Sequence, residues 1–269
     1  MDCPDRALLQ HLVEVCFLFR GLPVDTLVQA WGDAPAALEK LYSNRPVFTA
    51  FRPGEPLDSL YTVLGGGPVI IRSAPLDRII AITYTGGCFG MRSLPLSYGL
   101  IFKAFPSQVE AYKTTDVLRI PLAVVSHLYE TQGDFRDRYH LLFELREKFQ
   151  YHLLNCSAYP PQAVASLLRA LIYQERALGH QPDAQGIYRF DLPVDLIARA
   201  SQLNQRTVEQ VLKGMQQVGL TQAAPEVTPG VDRSAGDRPS SDSLYVADPE
   251  GMKEVYSATR DKVAWWPLR

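Results

Sequence analysis

A chain of 269 residues is longer than most single domains, so its length favours two domains. Its composition, 46% hydrophobic and 21% charged, is that of a globular protein that can form a core without disulfides or metal. A net charge of −2 argues against non-specific coating of nucleic acid, but it allows a sequence-specific binder whose positive charge is local.

The sequence gives little indication of a membrane segment, a signal peptide or a metal-binding cysteine pattern. No run of about 18 apolar residues predicts a membrane span, and the apolar residues 8–19 are interrupted by polar side chains, which makes a poor signal peptide. The four cysteines (Cys3, Cys16, Cys88 and Cys156) are far apart and include no C-x-x-C pair, so we expect free thiols rather than a zinc or iron–sulfur site. The sequence therefore predicts a cytoplasmic protein with no membrane partner.

From about residue 44 to residue 121 the pattern is that of short strands. β-Branched and aromatic runs alternate with turn signals such as Gly65-Gly66-Gly67 and Gly86-Gly87. The runs cover residues 61–64, 69–72, 78–83, 108–112 and 117–120. Short strands at this spacing predict a jelly-roll or a small barrel.

A helix of about 22 residues is predicted to follow, with Asp134 as a candidate N-cap and Pro160-Pro161 after its end. A long apolar helix at a domain junction either packs inside its own chain or pairs with its copy across a two-fold axis. We predict a homodimer, because the preceding strands have a core pattern of their own. The predicted dimerisation residues are Tyr139, Leu142, Leu145 and Phe149.

The last third of the chain predicts a helix-turn-helix. Residues 193–200 form the first predicted helix, and a three-residue turn buries Leu203. Asn204 caps a second helix that ends at Gly219. Around this pair we predict a helix at 162–178, strands at 187–192 and 244–246, a flexible loop at 221–243 and a helix at 251–262.

The exposed side chains of the second helix are of the types that bind DNA. Arginine and glutamine can hydrogen-bond guanine and adenine edges, and lysine suits phosphate. The predicted DNA-binding residues are Asn204, Gln205, Arg206, Thr207, Glu209, Gln210 and Lys213. The alternative is an ordinary helical hairpin inside a core.

Four segments carry a resemblance to a known family: FRPGEPLDSLYTVLGG at 51–66, TGGCFG at 85–90, TDVLRIP at 115–121 and the helix-turn-helix. With VADPEGM at 246–252, which is similar to the family's strand and helix after the wing, they resemble the CRP/FNR family of bacterial regulators from about Leu27 onward. The resemblance implies an α+β fold with an N-terminal jelly-roll-like β-roll (1–133), a long dimerisation helix (134–157) and a C-terminal winged helix-turn-helix (158–269). Residues 221–243 would then be an enlarged wing.

The resemblance implies a sequence-specific, DNA-binding transcription regulator that is controlled by a small effector in a cyclic-nucleotide-binding-like domain. Its implied partners are double-stranded DNA, a second copy of the chain, and RNA polymerase or another regulator. The alternative is a sensor that acts through protein partners and uses the helix-turn-helix as a docking surface.

Several residues depart from the family pattern. The cyclic-AMP members have a glutamate after Phe-Gly and later an arginine that neutralises the phosphate, whereas this chain has Met91 and Pro106-Ser107. A buried cyclic phosphate without a cation loses a charge-assisted hydrogen bond worth about 1.5–3 kcal/mol, so we do not expect classical cyclic-AMP binding. In the recognition helix, Gln205 stands where the family has its base-reading arginine, so Arg206 and Gln210 are expected to supply contacts.

The arginines of the β-rich domain suggest a larger anionic effector, because arginine can stack on a guanine and hydrogen-bond its edge. The resemblance extends to cyanobacterial regulators, which include sensors of 2-oxoglutarate and a branch that responds to cyclic di-GMP, and we favour cyclic di-GMP. The predicted effector-binding residues are Arg72, Arg78, Gly90, Met91, Arg92, Ser93 and Ser107. The alternative is that these arginines are solvated surface charges.

Enzyme motifs are not found. The sequence has no P-loop, no G-x-S-x-G and no H-E-x-x-H, and its five histidines are scattered. We therefore predict that the chain is not an enzyme, with no catalytic residues, no metal ligands and no cofactor other than the effector.

Overall fold

The structure is a computed structural model that describes residues 4–32, 34, 37–43, 59–73, 77–90, 107–154, 159–223 and 243–254. The chain divides into two compact units, Met1–Glu147 and Lys148–Arg269. The division falls inside the long central helix. In the described part of the chain, no helix has the length and apolar character needed to cross a membrane.

The N-terminal unit begins with three short helical segments that the sequence patterns did not predict. They are α1 (Arg6–Val15), a 3₁₀ turn (Phe17–Phe19) and α2 (Val24–Trp31). Asp5 caps α1, because its carboxylate accepts a hydrogen bond of 2.6 Å from the backbone N–H of Leu8. The apolar residues of these segments join the main core of the unit.

Among the residues that the structure describes, seven antiparallel strands form the β-roll. They are β1 (Ala37–Leu41), β2 (Ser59–Gly65), β3 (Val69–Ser73), β4 (Arg78–Thr83), β5 (Cys88–Phe89), β6 (Ser107–Ala111) and β7 (Thr115–Pro121). One sheet has the order β1-β7-β2-β5 and the other the order β4-β3-β6. All five predicted strands are confirmed, and β1 and β5 are added to them. The expected α+β class is confirmed as well.

Two helices follow the β-roll, α3 (Leu122–Thr131) and α4 (Gly133–Leu154). The predicted long helix is confirmed at 22 residues, but it begins at Gly133, so Asp134 lies in its first turn and is not the N-cap. The buried face of its first half belongs to the core of its own unit through Phe135, Tyr139 and Phe143. This packing uses surface that the sequence pattern had assigned to a partner chain.

The C-terminal unit contains α5 (Pro160–Ala177), β8 (Tyr188–Asp191), α6 (Val194–Ser201), α7 (Gln205–Gln217), β9 (Thr221–Gln222) and β10 (Ser243–Val246). The three strands form one antiparallel sheet of order β8-β10-β9. The segment predicted as a loop from residue 221 therefore starts with a strand, and residues 224–242 lie outside the described part. Residues 249–254 are helical, and the rest of the helix predicted at 251–262 lies outside the described residues.

Candidate DNA-binding surface and effector site

The turn between α6 and α7 is closed by local hydrogen bonds. Gln202 adopts the left-handed conformation with φ of 57°, which is uncommon for a residue with a side chain. The backbone N–H of Leu203 donates to the carbonyl of Ala198 at 3.0 Å, and the Ser201 hydroxyl donates to the carbonyl of Ile197 at 2.6 Å. Leu203 is half-buried rather than buried as predicted, because it lies at the rim of the turn.

Asn204 is the N-cap of α7, as predicted. Its side-chain oxygen accepts hydrogen bonds from the backbone N–H of Thr207 at 2.8 Å and from the Thr207 hydroxyl at 2.9 Å. The first bond satisfies an amide that has no partner inside the helix. The second holds the hydroxyl of Thr207 at the cap, so Thr207 supports the cap rather than offering a free side chain.

The apolar face of α7 fixes its orientation on the unit. Val208, Leu212 and Met215 are buried, and their spacing of three and four residues places them on one side of the helix. The helix ends in a Schellman motif, in which the N–H of Leu220 donates to the carbonyl of Met215 at 2.9 Å. That geometry needs a left-handed residue, which Gly219 supplies with φ of 77°.

The opposite face of α7 is open. Gln205, Arg206, Glu209, Gln210 and Lys213 are all exposed. Spacings of three and four residues align Arg206, Gln210 and Lys213 along the helix. Their polar groups make no hydrogen bond or ion pair with other described residues, so they can accept a partner without breaking an internal contact.

The small sheet lies next in sequence to the end of α7. Thr221 and Gln222 pair with Val246 and Tyr245 of β10. The carbonyl of Leu220 accepts the backbone N–H of Ala247 at 2.9 Å. These bonds connect the end of α7 to β9 and β10, so the small sheet is fixed relative to α7.

Some of the predicted effector residues of the β-roll lie at one end of the sheet β4-β3-β6. The register aligns Ser73 of β3 with Arg78 of β4 and with Ser107 of β6. Arg72 is the next residue along β3. The backbones of Arg78 and Ser107 therefore flank that of Ser73, whereas Arg72, one position away on β3, points to the opposite face of the sheet.

Arg72 is neutralised by its own neighbours. Its guanidinium lies 3.3 Å from a carboxylate oxygen of Glu110, donates to Gln108 at 3.0 Å and forms an ion pair with Asp77. The Glu110 side chain is 13% exposed, whereas that of Asp77 is 77% exposed. An anionic ligand could therefore replace Asp77 readily, but not Glu110.

These partners of Arg72 were not predicted from the sequence. Gln108 and Glu110 are two residues apart on β6, and residues two apart on a strand point to the same face, so their shared side was predictable. The pairing of β6 with β3 was not, because register between distant strands is set by the whole sheet.

The other predicted effector residues lie in different environments. Gly90 is buried directly after β5, with φ of 79°. Arg78 is half-buried and already has an interaction partner. Met91, Arg92 and Ser93 lie outside the described residues.

The predicted dimerisation residues have different environments. Tyr139 is 3% exposed inside the core of its own unit, so it cannot offer a surface to a second chain as predicted. Leu142 packs partly on that core and Leu145 is buried. The side chain of Phe149 lies outside the described part.

Comparisons with known proteins identify similar folds. No protein-family profile and no curated protein sequence matches the chain. FixK2 from Bradyrhizobium japonicum is similar in structure, with a TM-score of 0.54 and 14% identity over 82% of this chain and 97% of its own. A CooA variant from Carboxydothermus hydrogenoformans has a TM-score of 0.52 and 16% identity, covering 82% of this chain and 88% of its own. Both combine a β-roll with a helix-turn-helix.

Proposed function

We propose that this chain, whose fold is that of the CRP/FNR family of transcriptional regulators, binds a defined DNA sequence through α7 under the control of a small effector. The observation that carries the proposal is the open face of α7, where Arg206, Gln210 and Lys213 are exposed on a helix that is capped and buried on its other side. In a helix-turn-helix, the N-terminal part of the second helix enters the major groove.

Each exposed side chain of α7 suits a different contact. Arg206 can bind the O6 and N7 of guanine, and Gln205 and Gln210 can each bind adenine. Glu209 can accept from the N4 of cytosine, and Lys213 can pair with a phosphate. We assign base recognition to the first two turns of α7 and backbone contact to the third.

The DNA-binding form is a homodimer in this proposal. A two-fold axis places two recognition helices in successive major grooves about 34 Å apart. Because Tyr139 and Leu145 are both buried within the single chain, we assign the pairing surface to the half-buried Leu142 and to the later turns of α4, with Phe149 as a central residue. Light scattering should give the mass of a dimer, and Phe149→Glu should give a monomer. A monomeric wild-type protein would contradict this assignment.

The effector in this proposal is an anionic small molecule, with cyclic di-GMP as the first candidate. Its phosphate would replace Asp77 beside Arg72, and Arg78, the residue after Asp77 in the chain, would supply a second cation. Binding can change DNA affinity only if the effector binds the two dimer arrangements unequally. RNA polymerase or another regulator would be the protein partner on DNA.

Calorimetry against cyclic di-GMP, cyclic AMP, cyclic GMP and 2-oxoglutarate tests the effector site. Arg78→Ala should weaken binding of the active ligand, whereas Lys40→Ala, which removes an exposed cation from β1, should not. Arg72 is unsuitable for this test, because its loss would remove an ion-pair partner of the largely buried Glu110 carboxylate. A ligand that binds equally to both variants and to wild type would place the effector elsewhere.

DNA binding is tested by selecting bound fragments from a random library and titrating the enriched sequence in increasing salt. A specific regulator should show a steep fall of log affinity with log salt, because each neutralised phosphate releases counterions. Arg206→Ala should lose the enriched sequence. Arg6→Ala, which removes an exposed arginine from the other unit, is the charge-matched control. A docking module for proteins would enrich no sequence.

A further inference from the structure

Two cysteines that are 72 positions apart in the sequence meet in the N-terminal unit. Cys16 follows the last residue of α1 and Cys88 begins β5, and their sulfur atoms are 3.6 Å apart. The hydroxyl oxygen of Thr62 lies 3.5 Å from the sulfur of Cys88 and 3.9 Å from that of Cys16. Both cysteines are free thiols. The three side chains form one polar cluster next to an apolar core.

The backbone around this cluster fixes the two sulfurs in place. The backbone N–H of Phe17 donates to the carbonyl of Gly86 at 3.3 Å, and the N–H of Gly86 donates to the carbonyl of Val63 at 2.8 Å. A Cβ atom at Gly86 would lie 2.5 Å from the carbonyl oxygen of Val15. Glycine at this position therefore lets the turn before β5 touch the end of α1, which brings Cys88 to Cys16.

The two thiols share protons. Burial acts to raise the pKa of Cys16, but hydrogen bonds from Cys88, from backbone N–H groups and from Thr62 outweigh it and lower that pKa overall. The same bond to Cys16, together with burial, raises the pKa of Cys88 well above its usual value. The pair therefore gives up one proton more easily than an ordinary buried thiol and retains the second between the sulfurs.

The two cysteines differ in solvent exposure. Cys16 is 0% exposed, whereas Cys88 is only partly buried. Among the described strands, β5 is the edge strand of its sheet and pairs with β2 alone. Of the two residues, Cys88 alone keeps exposed surface, so a small oxidant that approaches the pair meets Cys88 first.

We propose that Cys16 and Cys88 are a redox modification site that closes to an intrachain disulfide when a hydroperoxide reacts at Cys88. The thiolate of Cys16 acts as the base and takes the proton of Cys88 as the Cys88 sulfur attacks one peroxide oxygen. The O–O bond breaks, a sulfenic acid forms and the other oxygen leaves as water after taking a proton from solvent.

The sulfur of Cys16 then attacks the sulfur of Cys88. The S–S bond forms, the S–O bond breaks and the leaving hydroxide takes the proton of Cys16. Overall, two thiols lose two electrons and two protons, and hydrogen peroxide is reduced to two waters. Two sulfurs at 3.6 Å need to approach by about 1.5 Å to reach bonding distance. A dithiol reductant reverses the reaction by exchange.

The test uses the full chain with Cys3→Ser and Cys156→Ser, so that only the two thiols of the cluster remain. After treatment with hydrogen peroxide, we expect both thiols to disappear together, a peptide linked through Cys16 and Cys88, and full recovery with dithiothreitol. In the same background, Cys16→Ser should leave a sulfenic acid on Cys88 that dimedone traps. Cys88→Ser should leave Cys16 unmodified until the protein is denatured.

Peptide mapping of the peroxide-treated wild type gives the same answer without any variant, should a substitution impair folding. The proposal is overturned if Cys88 proceeds to sulfinic acid while Cys16 stays free. It is overturned equally if neither thiol reacts in the native protein under conditions that oxidise both in urea. The site lies wholly in the N-terminal unit, so either result leaves the DNA-binding proposal untouched.

Discussion

The cap of the recognition helix allows a quantitative test of the helix-turn-helix. Asn204→Ala removes the oxygen that accepts the N–H of Thr207 at 2.8 Å and its hydroxyl at 2.9 Å. Because the cap is exposed, water can replace part of the loss, so the cost is that of an ordinary N-cap, about 1 kcal/mol within a range of about 0.5–2 kcal/mol. For a unit of this size the unfolding midpoint should fall by about 3–6 °C.

The matched control for this cap is Asn204→Ser, which keeps a side-chain acceptor. We expect its midpoint to stay close to that of wild type, because serine caps about as well as asparagine. Thermal unfolding followed by circular dichroism gives the shift, and hydrogen exchange at Thr207 and Val208 localises it. The cap reasoning is refuted if Asn204→Ala is as stable as wild type, or if the serine variant loses as much as the alanine variant.

Three further substitutions probe separate parts of the account. Lys213→Ala should weaken DNA binding about equally for all sequences and should reduce the slope of log affinity against log salt by about one. Loss of sequence preference in this variant would argue against a phosphate contact. Gly86→Ala should lower the free energy of unfolding in urea by at least about 1–2 kcal/mol, because φ is 84° and the added Cβ would meet the carbonyl of Val15. The control Gly133→Ala should be tolerated, because there is open space around that position. Phe135→Ala should cost about 3–5 kcal/mol in the same assay; a loss below 1 kcal/mol would mean that α4 does not complete this core.

The helix-turn-helix could be predicted from sequence because its determinants are local. Asn204 and Thr207 are three residues apart, and Gly219 follows the helix that it terminates. A cap, an apolar stripe and a left-handed glycine each depend on a few neighbouring positions. Five of the seven described strands of the β-roll were found for the same reason, since alternation and turn residues lie within each hairpin.

Contacts between residues that are far apart in the sequence could not be predicted. The alternation along β6 does not reveal that Glu110 faces Arg72, and 72 positions separate Cys16 from Cys88. The periodicity of α4 likewise identifies Tyr139 as apolar and inward-facing. It does not show whether Tyr139 packs in the core of its own chain or against a second copy of the chain. The N-terminal helices fill that core, and their apolar residues had been assessed only as a possible targeting segment.

The ratio of affinities for the selected DNA sequence and for a scrambled one of equal length shows whether α7 recognises a DNA sequence. We expect wild type and Arg6→Ala to share a large ratio, and Arg206→Ala to lose about 1–3 kcal/mol of it while the protein keeps its fold and mass. An unchanged ratio in Arg206→Ala, or no preference in wild type, would contradict the assignment of α7 as the helix that recognises DNA.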